Sequence, residues 1–555
     1  MIFMRRGMMK SNRLRILTMV FVLCAASCGP GDSAHSRGAK MIRAEDMKFP
    51  LQFLAAPEFR GRNTPSTELD IASKYIALMA ERIGLKPLMP GGSYYQEVPV
   101  EVTTIVPQAS RMRLTAGAGE RIFHFPADAI IGRNFEAGKV SGEAVFLGYG
   151  LGAPQLNWDD TNGLELKGKV AVILDAALPD DHVLKPADNR RLLMSRAGAL
   201  RGKGAIAVVT IINQEREARL AEKGLTFSLP ERLRFPDVVT GSEAMPSQTA
   251  AGAAPAAPAP PFFQVEVRHD AGAAILGVAK EDLVKMIETI RQGKRVAPHK
   301  MPGRRLEIEL GVVTRQDTTL NVVAYAEGTD PVLRNEYLTI SSHHDHLGMR
   351  EGRIYPGADD NASGVVGMFE IAEALMVERP KRSVIFVWNT AEERGLVGSY
   401  YFVQHCPVPV DKISANLNLD MISRNDTNQL YLIGSNKISS ELDASIQTMN
   451  TNSVGLTLDY KYEDPAHPDR FFFRSDQYPY IRYGIPGVWF FCGTTEDYHT
   501  EGDIEAKADY AKMEKVSKLV YLVAMDIGNK PALLSLDLKP EIKVRGEQNM
   551  KVGWR

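Results

Sequence analysis

The sequence predicts an α/β protein built on a mixed central sheet with helices on both faces, accompanied by a smaller second domain. Three observations predict it. After about Leu306, apolar β-rich runs alternate with helical segments, the pattern of a largely parallel or mixed sheet covered on both sides. From about 110 to 300 the texture changes to short strands and turns with a βαβ-like rhythm of their own. The length, 555 residues, exceeds one ordinary domain, and 44% hydrophobic with 24% charged residues is a globular composition.

Residues 1–28 read as an export signal. Arg5, Arg6, Lys10, Arg13 and Arg15 form a basic head, 16–23 is a short apolar core, and Ala25-Ala26-Ser27 are small residues of the cleavage-site type. The apolar run falls short of the ~20 residues that span a bilayer. Cys28, ahead of Gly29-Pro30-Gly31, is similar to the lipidated cysteine of a bacterial lipoprotein signal, although Ala25 stands where Leu is usual. The expected location is periplasm, outer membrane or cell surface through a lipidated Cys28, and secretion otherwise. The formal net charge of −1 and the lack of a basic stripe argue against nucleic acid as a partner.

Residues 45–110 form the first part of the main domain. Within them, 68–84 has helical periodicity (Leu69, Ala72, Tyr75, Ile76, Met79, Ile83) and stops at Gly84. Residues 111–305 form the second domain, with strands expected near 144–150, 169–174 and 205–211, a helix near Ala197, and a low-complexity Pro/Ala loop at 246–261. Residues 306–535 complete the main domain. Strands are expected at 319–327, 337–341, 383–388 and 415–419, with helices after Asn361 and Gly395. Cys406 and Cys492 are the two cysteines of the body, and their spacing leaves open whether they pair or stay as thiols.

The chemistry gathers at the strand ends, where open α/β sheets place their ligands. The strand at 337–341 leads into His343-His344-Asp345. Asp359-Asp360-Asn361 precedes a helix, 383–388 leads into Glu392-Glu393, 415–419 into Asp420, and 488–491 toward Asp497-Tyr498-His499. Taken singly, each has a plain reading: a buried histidine, an Asx turn or helix cap, a solvated acidic face. In series they supply the imidazoles and carboxylates that zinc accepts when no thiolate is at hand. A turn carboxylate such as Asp360 suits a bridge between two ions about 3.5–4 Å apart.

The order His-x-Asp, Gly-Ala-Asp-Asp-Asn-Ala-Ser-Gly, Glu-Glu-x-Gly-Leu-x-Gly-Ser, Asn-Leu-Asp-Met and Tyr-His-Thr-x-x-Asp resembles the co-catalytic di-zinc exopeptidases, the family of aminopeptidase S and glutamate carboxypeptidase II. The likeness covers roughly 310–530, and Gly61-Arg62-Asn63-Thr64 with the following helix is similar to the N-terminal segment of the same zinc exopeptidase fold. The second domain resembles the protease-associated domain inserted in many members. The resemblance implies two zincs per chain. Asp360 would bridge them, with His343 and Asp420 on one and Glu393 and His499 on the other. Glu392 would be the general base, acting on peptide substrates. Asp345 and Asp503 are expected to orient His343 and His499, as ligating histidines usually donate their second N–H. His344 and His346 are expected to be structural. Arg474-Ser475-Asp476-Gln477 departs from the Ser-Asp-His of several relatives, and Phe472 stands near the place of an oxyanion-stabilising tyrosine, leaving Tyr498 as the candidate phenol. The expected activity is that of an exported aminopeptidase. A carboxypeptidase of the glutamate carboxypeptidase type, a one-zinc glutaminyl cyclase-like enzyme and a non-catalytic binding protein are the alternatives.

Overall fold

A computed structural model describes residues 36–182, 195–239 and 261–538. The export signal with Cys28 and nearly all of the loop expected at 246–261 lie outside the described residues.

The main domain is organised by a ten-stranded sheet. Its principal strands are β1 (Tyr95–Ile105), β2 (Val312–Ala326), β3 (Tyr337–His343), β4 (Ser383–Asn389), β5 (Ile413–Leu419), β6 (Gln429–Ile433) and β7 (Gly487–Phe491). They lie in the order β1-β2-β4-β3-β5-β7-β6, with Arg232–Arg234 and Thr457–Asp459 at the two edges. Neighbours from β4 through β3 and β5 to β7 are parallel, β1 and β2 run antiparallel to theirs, and β6 is antiparallel to β7 but parallel to the edge strand Thr457–Asp459. The central parallel strands therefore deliver all their carboxyl ends to one rim, where a parallel sheet puts its ligand site.

Every residue of β3, β4 and β5 but Tyr337 is buried, as expected of strands covered on both faces. Alternation decides which core each side chain joins. Val384, Phe386 and Trp388 pack with α1 (Thr67–Ile83), α2 (Gly364–Val377) and α4 (Tyr510–Asn529). Ile385 and Val387 face Phe402 and Val403 of α3 (Val397–Gln404) on the other side. Helix α1 begins where Ser66 Oγ accepts the Leu69 N–H at 3.1 Å and ends at Gly84 in the left-handed region, φ 96°, the stop expected from sequence.

Between β1 and β2 the chain builds a second, eight-stranded sheet with its own apolar core. Its last strand, His299–Leu310, contains Leu306, so the central sheet resumes at Val312. One piece returns: Arg232–Arg234 pairs with β1 of the central sheet. Cys406 and Cys492 are both free thiols.

Candidate metal centre

Each donor reaches the sheet rim by a short local device. His343 is the last residue of β3, and Asp420 follows β5. Asp360 sits in the tight turn before α2, which Asn361 clasps: its Nδ2 donates to the Leu419 carbonyl at 3.0 Å and its Oδ1 accepts the N–H groups of Gly364 and Met421. Glu392 and Glu393 share one helical turn after β4, entered through Ala391 at φ 55°. Successive side chains on that turn point apart. Glu392 Oε2 lies 3.9 Å from His343 Nε2, whereas Glu393 Oε1 lies 3.3 Å from His499 Nε2.

The two oxygens of Asp360 face two different donor groups. Oδ1 is 3.3 Å from His343 Nε2, which is also 3.3 Å from Asp420 Oδ1. Oδ2 is 3.1 Å from His499 Nε2 and 3.8 Å from His346 Nδ1. His346 Nδ1 in turn lies 2.9 Å from Glu393 Oε1. Such spacings are those of ligand atoms sharing one ion, and the donor atoms of His346, Asp360 and Glu393 form one compact group as do those of His343, Glu392 and Asp420.

Electrostatics argue for cations here. Burial alone would depress the His343 ring, yet the carboxylates of Asp420 and Glu392 hold it well above its ordinary value. Glu392 is pushed well up, first by burial and then by the like charges of Glu393, Asp420 and Asp476. Burial would also raise Asp360, but His346, His343 and His499 pull it well below the carboxylate range. Glu393 falls to about 2 against the effect of burial and Asp360, under the hold of His346 and His499. So many buried carboxylates around few imidazoles are costly without a cation. Glu393 Oε1 and both ring nitrogens of His346 are buried and lack a hydrogen bond of acceptable geometry, which fits the metal that these donors would hold.

The surroundings fix the donors. His343 Nδ1 donates to the backbone carbonyl of Asp345 at 3.1 Å, with that residue's carboxylate 3.7 Å away. The Asp345 carboxylate accepts from Glu392 N–H at 3.0 Å and Thr64 Oγ1 at 2.9 Å, tying the β3 loop to the glutamate turn. Ser475 Oγ donates to Asp420. Arg62, 1% exposed, donates to the carbonyls of Leu54, His344, Pro356 and Gly357 and so clamps the two loops that bear His343 and Asp360.

Two expectations change. Asp503 does not orient His499; its carboxylate accepts the N–H groups of Asp359 and Asp360 at 3.0 and 3.1 Å and so steadies the turn under Asp360. His346 is not a structural bystander, because it faces Glu393 and Asp360. His344 does hold a structural place, its Nε2 2.8 Å from Ser73 Oγ and its pKa lowered by burial to about 4. Tyr498 stacks on His499 with ring centroids 3.8 Å apart, and its hydroxyl accepts from Arg474 Nη2 at 2.9 Å. Phe472 is fully buried and is not part of the pocket wall, which Met421, Phe471, Trp489, Phe491, Arg474 and Tyr498 form above Asp360 and Glu392. The sequence motifs that contain Arg62, Thr64 and Ser475 do not reveal their partners, which are remote in the chain.

Comparison with known proteins bears on the fold. Residues 321–524 match the profile of Peptidase family M28. The probable leucine aminopeptidase 2 of Aspergillus oryzae is 30% identical over 230 residues, 40% of this chain and 41% of that protein. An aminopeptidase of Pseudomonas aeruginosa is 38% identical over 138 residues, 24% of each chain. The chain thus spans about two fifths or less of the curated relatives it matches. Among solved structures, a zinc aminopeptidase from Bacillus subtilis superimposes with a TM-score of 0.54 at 17% identity, over 90% of this chain and 99% of that one. The aminopeptidase from Aneurinibacillus sp. strain AM-1 does so with a TM-score of 0.51 at 19% identity, over 91% and 98%. These show a shared fold.

Proposed function

We propose that this chain, whose residues 321–524 are its peptidase family M28 portion, is an exported zinc aminopeptidase that removes N-terminal residues from peptides. The observation that carries the reading is the division of Asp360, one carboxylate oxygen toward His343 and Asp420 and the other toward Glu393, His346 and His499. The names of the related proteins support the choice of an aminopeptidase.

Bound zinc would polarise the scissile carbonyl and make water a stronger acid. The chain's own residues do the rest. Asp360 holds both halves of the site in register. Glu392 lines the pocket with its Oε2 3.9 Å from His343 Nε2, and takes the proton of the attacking water for delivery to the leaving amine. Tyr498, in the wall beside His499, is placed to steady the developing oxyanion. Met421, Phe471, Trp489 and Phe491 make an apolar wall that suits an N-terminal side chain such as leucine.

A carboxypeptidase is the second reading, favoured by one observation: Arg474 lines the same pocket and would suit a free carboxylate. Export by the signal at 1–28, anchoring by a lipidated Cys28, and a protease-associated identity for the second domain belong to this proposal; no described helix is long and apolar enough to cross a membrane.

A panel of peptides with free or blocked N-termini, with products read by mass spectrometry, separates the readings. The aminopeptidase cleaves only free N-termini and loses activity with chelator. Glu392→Gln keeps its zinc and loses turnover by about 100-fold or more. Cleavage of N-blocked peptides from the C-terminus would replace this reading with the carboxypeptidase.

A further inference from the structure

A cavity of about 800 Å³ opens between the second domain and the central-sheet domain. Ile130–Arg133 and Gln264–Glu266 line it from the second sheet, and the hairpin around Arg350 and the glutamate turn ending in Arg394 line it from the other side. Its walls are rich in arginine, and most of those charges are already matched. Arg60 pairs with Glu68 at 3.7 Å, Arg216 and Arg219 both reach Glu351 at 2.6 Å, and Arg353 pairs with Glu501 at 3.6 Å.

Arg133, Arg350 and Arg394 differ. None of the three has a carboxylate within ion-pair distance among the described residues, and Glu231, which shares the cavity, pairs with none of them. They converge from three separate parts of the chain. Arg394 is the residue after Glu393 and is fixed by its Nη2, which donates to the Thr64 carbonyl at 3.3 Å and to Asn63, leaving a buried Nε without a hydrogen-bond partner. Arg133 responds to the crowding: burial first, and then the charges of Arg350 and Arg394, push its guanidinium down to about 10 against the pull of Glu393. Like charges held together in a cleft at this cost are stabilised by an anion.

We propose that Arg133, Arg350 and Arg394 form a subsite for the C-terminal carboxylate of a short peptide whose N-terminus lies at the metal centre. The inference rests on the aminopeptidase reading and deepens it, because the enzyme would hold its substrate at both ends and favour short peptides. Guanidinium groups suit a carboxylate, which they can bind through paired N–H groups. Arg394, the residue after Glu393, belongs to the cavity wall, and an extended peptide advances about 3.3–3.6 Å per residue.

The test measures binding rather than turnover. Leu-Gly-Gly and its C-terminal amide are titrated by calorimetry into zinc-loaded Glu392→Gln protein. The free acid should bind about tenfold more tightly than the amide, a gap near that expected of one charge-assisted pair. Adding Arg350→Gln or, in the other domain, Arg133→Gln should shrink the gap to about twofold, and Arg350→Lys should keep part of it. Equal affinity for acid and amide, or a gap that survives both glutamine variants, would overturn the subsite. Cleavage by the wild-type enzyme is followed separately, so failure to release N-terminal residues counts against the aminopeptidase reading and a missing acid–amide gap counts against the cleft.

Discussion

His346 Nδ1 stands 2.9 Å from Glu393 Oε1 at the buried end of the second donor group, and neither nitrogen of its ring makes a hydrogen bond of acceptable geometry. His499 approaches the same glutamate oxygen at 3.3 Å from the open side, with its side chain 34% exposed.

That pairing makes His346 a determinant of metal affinity. His346→Ala should weaken retention of one zinc by about 10–100-fold while the other stays, the range seen when a residue supporting a metal site is removed. Chelator competition followed by zinc counting checks this. Two zincs held as tightly as in the wild type would return His346 to a structural role.

Arg62 should matter for stability more than its distance from the chemistry suggests. It is buried, burial lowers its pKa to about 10, and it gives hydrogen bonds to four backbone carbonyls. Arg62→Met removes those donors and should cost about 3–5 kcal/mol in denaturant unfolding of the metal-free protein. A loss below about 1 kcal/mol would mean that water replaces the clamp.

Glu463 gives a pH signature outside the donor groups. Burial raises its carboxyl from 4.5 to about 7, against the pull of the Gly434 N–H that it accepts at 3.0 Å. A raised carboxyl pKa means that the fold favours the protonated form. Its contribution to stability is full below about 4.5 and is lost as pH rises through about 7. Glu463→Gln should therefore be more stable than wild type at pH 8, by about 1–3 kcal/mol, with the advantage gone near pH 5. Melting curves at the two pH values decide it, and a pH-independent difference would contradict the argument.

Much of this architecture can be read from residues in order. Strands covered on both faces leave near-continuous apolar runs, so β3, β4 and β5 are visible, and the motif residues follow their ends because parallel strands share a rim. Helix α1 announces itself by period and by Gly84. His346 is different. Beyond His343 the strand has ended, alternation no longer tells direction, and two histidines in one short loop, His344 and His346, cannot be ranked by spacing. Asp503 differs for a similar reason: closeness to His499 in sequence does not foretell that the loop folds its carboxylate under Asp359 and Asp360. Arg62 lies 282 positions from one of the carbonyls it clamps, a relation that local pattern does not encode. The unmatched arginines of the cleft come from two domains and appear only once these pack together.

The most direct test of the account is the zinc content of the purified protein beside that of Asp360→Asn. Two zincs per chain in the wild type, and loss of tight binding at both positions when one Asp360 side chain is changed, is the predicted result. A single zinc in the wild type, or two retained by Asp360→Asn, would contradict the claim that this carboxylate joins two metal positions.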